Sequence, residues 1–160
     1  DETLVWANKV VAAHPDCRII VVTHSYLTRK KGQLSCADHY GVNGNSGKSI
    51  WEKFVSQHKN IFLTLSGHDM ENLLTSHGKH GNKVHQVQAD YWYWDIPKIK
   101  AGSGFLRLMT FYPNKNLIEV QTYSPVLDEF LIRPKSNFLL DYTMSDKSEQ
   151  SSDASGRGGD

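Results

Sequence analysis

Ile19-Ile20-Val21-Val22-Thr23-His24 and Ile61-Phe62-Leu63-Thr64-Leu65-Ser66-Gly67-His68 are the two stretches that decide the fold. Each is a short apolar run without alternation, the pattern of a strand buried on both faces. Each ends in a histidine. Between them Ser49-Ile50-Trp51-Glu52 has capping-box spacing, and Ile50, Trp51, Phe54 and Val55 make one apolar stripe, so residues 49–59 are predicted to be helical. Ahead of the first run, residues 2–13 also read as a helix, with Trp6, Val10 and Ala13 at helical spacing and Val5 beside them. His14-Pro15-Asp16 ends it, because the residue before a proline is pushed out of the helical region. Helix, strand, helix, strand implies a parallel sheet covered by helices.

The second half changes character. Residues 84–93, 105–112 and 117–123 are predicted strands, the last two joined by the short turn Pro113-Asn114-Lys115-Asn116 as an antiparallel hairpin. Residues 130–133 and 138–140 add edge pieces. Residues 28–47 form a long polar, glycine-bearing loop, and loops of that length are usually functional or inserted. From Ser145 onward only Ala154 is apolar, so residues 1–143 are expected to form the domain and 144–160 a disordered tail or linker.

The 160 residues suit one domain. A net charge of +1 provides no field to recruit nucleic acid or anionic lipid. Hydrophobic residues at 39% and aromatics at 11% supply a core and argue against disorder. No apolar run approaches the roughly 20 residues of a membrane helix, and no leader pattern is present. Asp1 in place of an initiating Met reads as processing or as a start within a gene. Cys17 and Cys36 are too few for a disulfide framework; they read as two unrelated thiols, with one bridge the alternative.

Most candidate sites dissolve on inspection. Gly47-Lys48-Ser49 ends like a phosphate loop, but Val42 stands where the first glycine belongs, so the segment reads as a loop feeding a helix cap. No Gly-x-Ser-x-Gly elbow is present, and neither cysteine has a thiol-protease setting. His77, His80 and His85 are spaced like metal ligands, yet the first two fall in a Gly- and Lys-rich turn without cysteine or carboxylate partners. Tyr91-Trp92-Tyr93-Trp94 could stack sugars or bases, although aromatics readily fill strands for packing alone.

His24 and His68 stand apart from these. Each closes a buried strand, and parallel neighbours deliver their carboxyl ends to the same edge, where ligands of open α/β sheets collect. Two imidazoles emerging together point to metal ligation. Gly67 suits such a turn, since glycine lets the backbone bend tightly beside an ion.

The order of motifs resembles the C-terminal half of a calcineurin-like metallophosphoesterase. The matching stretches are Ile19-Ile20-Val21-Val22-Thr23-His24-Ser25-Tyr26-Leu27, residues 43–51, Asn60 through Gly67-His68, Gly81-Asn82-Lys83-Val84-His85-Gln86, Ala89-Asp90-Tyr91, residues 102–110 and Thr122-Tyr123-Ser124-Pro125. Together they cover about 120 residues in the family's order, far more than one motif. The resemblance implies a two-sheet sandwich flanked by helices, with two divalent metals, Mn, Zn or Fe, at strand ends. It implies that His24 and His68 serve the second metal, whose shell an asparagine and a bridging aspartate complete. The two ions, about 3.5–4 Å apart, would share a hydroxide that attacks phosphorus in line.

Met70 stands where the family often has a second histidine, Gly-His-x-His, and a thioether is a poor ligand for these ions. Trp92 stands where the family commonly has Gln. The upstream motifs Asp-x-His, Gly-Asp-x-x-Asp and Gly-Asn-His-Asp/Glu are absent: Asp38-His39 are adjacent, and Lys83 follows Gly81-Asn82. They would precede Asp1. The expectation is therefore an α/β sandwich fragment of an enzyme that hydrolyses phosphomonoesters or phosphodiesters, inactive without the missing N-terminal half of its domain. No nucleic-acid or membrane partner is expected, and relatives with these motifs are often exported. The rival reading is a non-catalytic module that binds carbohydrate through the aromatics from Tyr91 to Trp94.

Overall fold

Apolar runs that lack alternation pair with each other here as parallel strands. In the computed structural model, which describes residues 2–30, 34–35, 44–91 and 103–143, β1 (Ile19–Val22) runs parallel to β2 (Ile61–Ser66), with Val22 opposite Leu65. β2 is also parallel to β4 (Lys83–Gln88), and β3 (Asn72–His77) lines the far edge of β4 antiparallel, giving the order β1-β2-β4-β3. Two helices, α1 (Glu2–Ala12) and α2 (Gly47–Lys53), cover one face. Leu4, Val11, Ile50, Phe54 and Val55 pack there against Ile61 and Val84.

The second sheet is antiparallel. β5 (Leu106–Tyr112) and β6 (Leu117–Ser124) form the expected hairpin, closed by a single turn of 3-10 helix, Pro113–Lys115, with Asn116 left-handed at φ 50. The other edge of β6 is shared by β7 (Glu129–Phe130) and β8 (Phe138–Asp141). β6 buries every second residue, and Ile118 and Val120 join Leu140 against Phe62, Leu63 and Val87 of the first sheet. The result is a mixed α/β sandwich: two small sheets face to face, with helices outside the first. Removing the Leu63 side chain from that fully buried seam would cost about 2–5 kcal/mol.

A buried ion pair ties the sheets together. Glu71, in the turn after β2, accepts from Arg107 Nη2 of β5 at 2.7 Å, from the Ser136 hydroxyl at 2.7 and 2.8 Å, and from the Tyr91 hydroxyl at 3.0 Å. Such a pair is tolerable because neighbouring donors fill the carboxylate's remaining lone pairs. Burial pushes the Tyr91 phenol up to about 12.

Several expectations need correction. β1 is not buried on both faces: among the described residues it is an edge strand, with Ile20 41% and Val22 76% exposed. In α1 the inward stripe is Leu4 and Val11, both buried, with Ala7 partly buried between them, whereas Trp6 is 64% exposed and Val5 and Val10 also face outward. Both stripes satisfy helical periodicity, and only one can meet the sheet. Ser46, not Ser49, caps α2, accepting from the Ser49 amide at 3.1 Å. The helix stops at Lys53, and a 3-10 turn, Val55–Gln57, replaces its expected last turns. β3 went unread because Asn72-Leu73-Leu74-Thr75-Ser76-His77 shows neither an unbroken apolar run nor clean alternation. β4 ends at Gln88 rather than running to residue 93. The expected tail, residues 144–160, lies outside the described residues.

Candidate metal centre

Parallel pairing brings His24 and His68 together. β1 and β2 advance in register, so the turns that follow them leave the sheet side by side. The Gly67 amide donates to the His24 carbonyl at 3.0 Å, and the Thr23 amide donates to the Leu65 carbonyl at 3.0 Å. The two imidazole rings meet edge to face with centroids 5.1 Å apart and planes at 66°.

Left-handed backbone in this turn falls on His68, at φ 67, and not on Gly67. A Cβ at Gly67 would meet only the Ala89 carbonyl oxygen at 3.7 Å, ordinary contact, so the glycine rationale does not hold. A side-chain-bearing residue in left-handed conformation costs about 1–2 kcal/mol. Such strain clusters where a side chain must be aimed.

Three residues that the sequence reading passed over fasten the two turns. Gln88, fully buried at the carboxyl end of β4, accepts from the Leu27 amide at 3.0 Å and the Ser66 hydroxyl at 3.1 Å, and donates to the Met70 carbonyl at 3.1 Å. One amide group thus holds the segment after β1, the end of β2 and the segment after His68. Asp69 adds a clasp: its carboxylate accepts from the Arg29 amide at 3.0 Å, from Arg29 Nε, and from the Met70 amide at 3.1 Å. Gln88 could have been found from the sequence, since it ends the third parallel strand as the histidines end the first two. The aromatic residues from Tyr91 onward hide that end, because they extend the strand pattern to residue 93.

The other candidates are employed elsewhere. His85 is buried with Nδ1 at 3.0 Å from the Thr75 hydroxyl and Nε2 at 2.9 Å from the Asp141 carbonyl, and His80 Nε2 lies 3.0 Å from the Gln57 carbonyl. His77 ends β3 opposite Lys83. Gly47 is required by packing, not by phosphate: a Cβ there would lie 1.9 Å from the Tyr26 carbonyl oxygen. The Tyr91 hydroxyl is held by Glu71, Arg107 and Thr122. Cys17 is exposed and not in a disulfide. Cys36, Asp38-His39 and Trp92-Tyr93-Trp94 lie outside the described residues.

Does this donor set suit the metal that the resemblance implies? With nitrogen–metal distances near 2.1 Å, two imidazoles on one ion hold their ring centroids about 5 Å apart. The separation here meets that requirement, and imidazole suits Zn or Fe better than Mn, which favours oxygen ligands. The set is also short of a full shell. Among the described residues, no group of three or more His, Cys, Asp or Glu is placed to hold an ion. Asp69, the nearest carboxylate in sequence, is already committed to Arg29. Among the described residues no helix is long and apolar enough to cross a membrane.

No family model matches the chain, and no solved structure does. It is similar to the uncharacterized protein YvnB of Bacillus subtilis (strain 168), 30% identical over 139 residues. That match takes in 81% of this chain but 10% of the relative, so the chain spans about a tenth of the length of the curated relative it matches.

Proposed function

We propose that this chain is the histidine-bearing part of a calcineurin-like, metal-dependent phosphoesterase, and that His24 and His68 hold one ion of a dinuclear centre. The observation that carries the reading is the 5.1 Å approach of two imidazoles at the carboxyl ends of adjacent parallel strands. A strained backbone at His68 and a buried amide fastening both turns support it. The bridging aspartate and the asparagine would come from sequence before Asp1. When bound, the two ions would activate water and neutralise charge gathering on the phosphoryl oxygens of a phosphomonoester or phosphodiester. The residues present here would supply two imidazoles from adjacent turns to one of those ions.

The test is calorimetric titration with Mn or Zn, alongside phosphodiesterase rates, in the polypeptide that carries this chain with its natural preceding sequence. His24→Ala and His68→Ala should each weaken binding and activity severely, with the double variant little worse than either, because residues serving one ion act as a unit. His77→Ala and His80→Ala should be near neutral, and Met70→His should tighten the first ion. The 160 residues alone should not turn over substrate. Fully additive losses at His24 and His68, or damage confined to His77 and His80, would refute the assignment.

A further inference from the structure

An exposed arginine is fastened at the histidine corner more firmly than a surface ion pair requires. Arg29 lies five residues after His24, and its partner Asp69 directly follows His68. The Asp69 side chain, 15% exposed, accepts from both the Arg29 amide and Arg29 Nε, while the Arg29 side chain is 66% exposed. The backbone on either side of Arg29 is bracketed as well. Buried Asn72 donates through Nδ2 to the Thr28 carbonyl at 2.6 Å and to the Lys30 carbonyl at 2.9 Å. Gln88 accepts from the Leu27 amide just before them. Side chains from β3, β4 and the turn after β2 thus fix four consecutive residues.

Stability does not account for this construction. An exposed ion pair contributes little, because ordering a long side chain offsets most of what the pair gains. What the arrangement yields is a guanidinium with a fixed stem and a free end. Asp69 occupies Nε, and among the described residues neither Nη1 nor Nη2 has a hydrogen-bond partner. The unoccupied edge of the fork is the one that takes a pair of phosphoryl oxygens. It stands at the carboxyl ends of adjacent parallel strands, where α/β sheets collect their ligands.

Resting on the phosphoesterase reading above, we infer that Arg29 grips the phosphoryl group of the substrate, with Asp69 as its positioning residue, and that this grip selects phosphomonoesters over phosphodiesters. A diester has one charge and two non-bridging oxygens, both engaged at a two-ion centre. A monoester has a third such oxygen and, near neutral pH, most of a second charge. That oxygen and that charge are what a guanidinium beside the centre has left to bind.

The test uses the polypeptide that carries this chain with its natural preceding sequence, loaded with Zn. Rates on nitrophenyl phosphate and bis-nitrophenyl phosphate are compared, and inorganic phosphate is titrated by calorimetry. Arg29→Gln should cut phosphate affinity, and kcat/KM on the monoester, about ten- to a hundredfold, and leave the diester within about threefold. Arg29→Lys should recover little, since an ammonium offers no fork. Asp69→Asn should shift the monoester-to-diester ratio the same way by less, and Lys30→Gln, which removes a neighbouring exposed cation, should leave that ratio unchanged. Equal losses on both esters, no loss on either, phosphate affinity indifferent to Arg29→Gln, or an equal effect of Lys30→Gln would overturn the inference while metal-dependent turnover left the phosphoesterase reading standing. Lack of metal-dependent turnover on both esters would overturn that reading and the inference with it.

Discussion

The left-handed backbone at His68 makes a quantitative prediction. Replacing His68 by alanine or by glycine removes the same imidazole and the same edge-to-face contact with His24, so the two variants differ only in the backbone. At φ 67 a Cβ costs about 1–2 kcal/mol, which glycine avoids. Glycine also frees the unfolded chain, which offsets about 0.4–1 kcal/mol of that gain. The net expectation is that His68→Gly is more stable than His68→Ala by about 0.5–1 kcal/mol, or about 1–4 °C in melting temperature for a chain of 160 residues. The assay is urea unfolding with chelator present, comparing midpoints at constant slope. Thr64, inside β2, is the control: there glycine should be worse than alanine by a similar amount, since strand interiors gain nothing from its freedom. If alanine equals or exceeds glycine at position 68, or both sites respond with the same sign, the strain argument is wrong.

Arg107→Met should destabilise by about 3–5 kcal/mol, because it strands the Glu71 carboxylate in the seam between the sheets. Adding Glu71→Met should recover most of that loss in the same urea titration, and a double variant as unstable as the single would refute it. Gly47→Ala should be among the most damaging single-methyl changes, since the new Cβ would collide with the Tyr26 backbone; a melting temperature within one degree of the parent would contradict the packing. The His58 imidazole lies below the ordinary histidine value, first through burial and then through the charge of His80. A lowered folded value means that the unfolded chain takes up the proton first, so this group's contribution is complete above its unfolded value and is lost as pH falls toward the folded one. His80→Asn should raise the His58 titration midpoint by NMR, part of the way and not fully; no rise at all would leave burial as the whole cause.

The order of elements in the first half was legible because β-branched runs such as Ile19-Ile20-Val21-Val22 have few alternatives. That legibility also placed His24 and His68 together before any coordinates, since parallel neighbours share a carboxyl edge. What local pattern could not reveal was tertiary. α1 carries two apolar stripes of equal periodicity, and only the position of the sheet selects Leu4 and Val11 over Trp6 and Val10. β3 is polar at Asn72, Thr75 and Ser76 because these side chains meet partners inside the fold, among them the Thr28 carbonyl, His85 and Gln86. Asp69 was invisible for a related reason: its carboxylate accepts from the Arg29 backbone 40 residues away, which no spacing rule encodes.

Gln88 has a consequence for how the two histidines move. Its carboxamide is one planar group, and its oxygen and nitrogen grip opposite turns. A displacement of either turn rotates that plane and is passed to the other, so the imidazoles drift as a pair while their separation changes less than the position of either. A slow excursion of this corner would therefore broaden the magnetic resonances of both rings at one common rate. On the proposed reading, an ion would meet a gap of nearly constant width, whatever the instantaneous tilt of the strands beneath it.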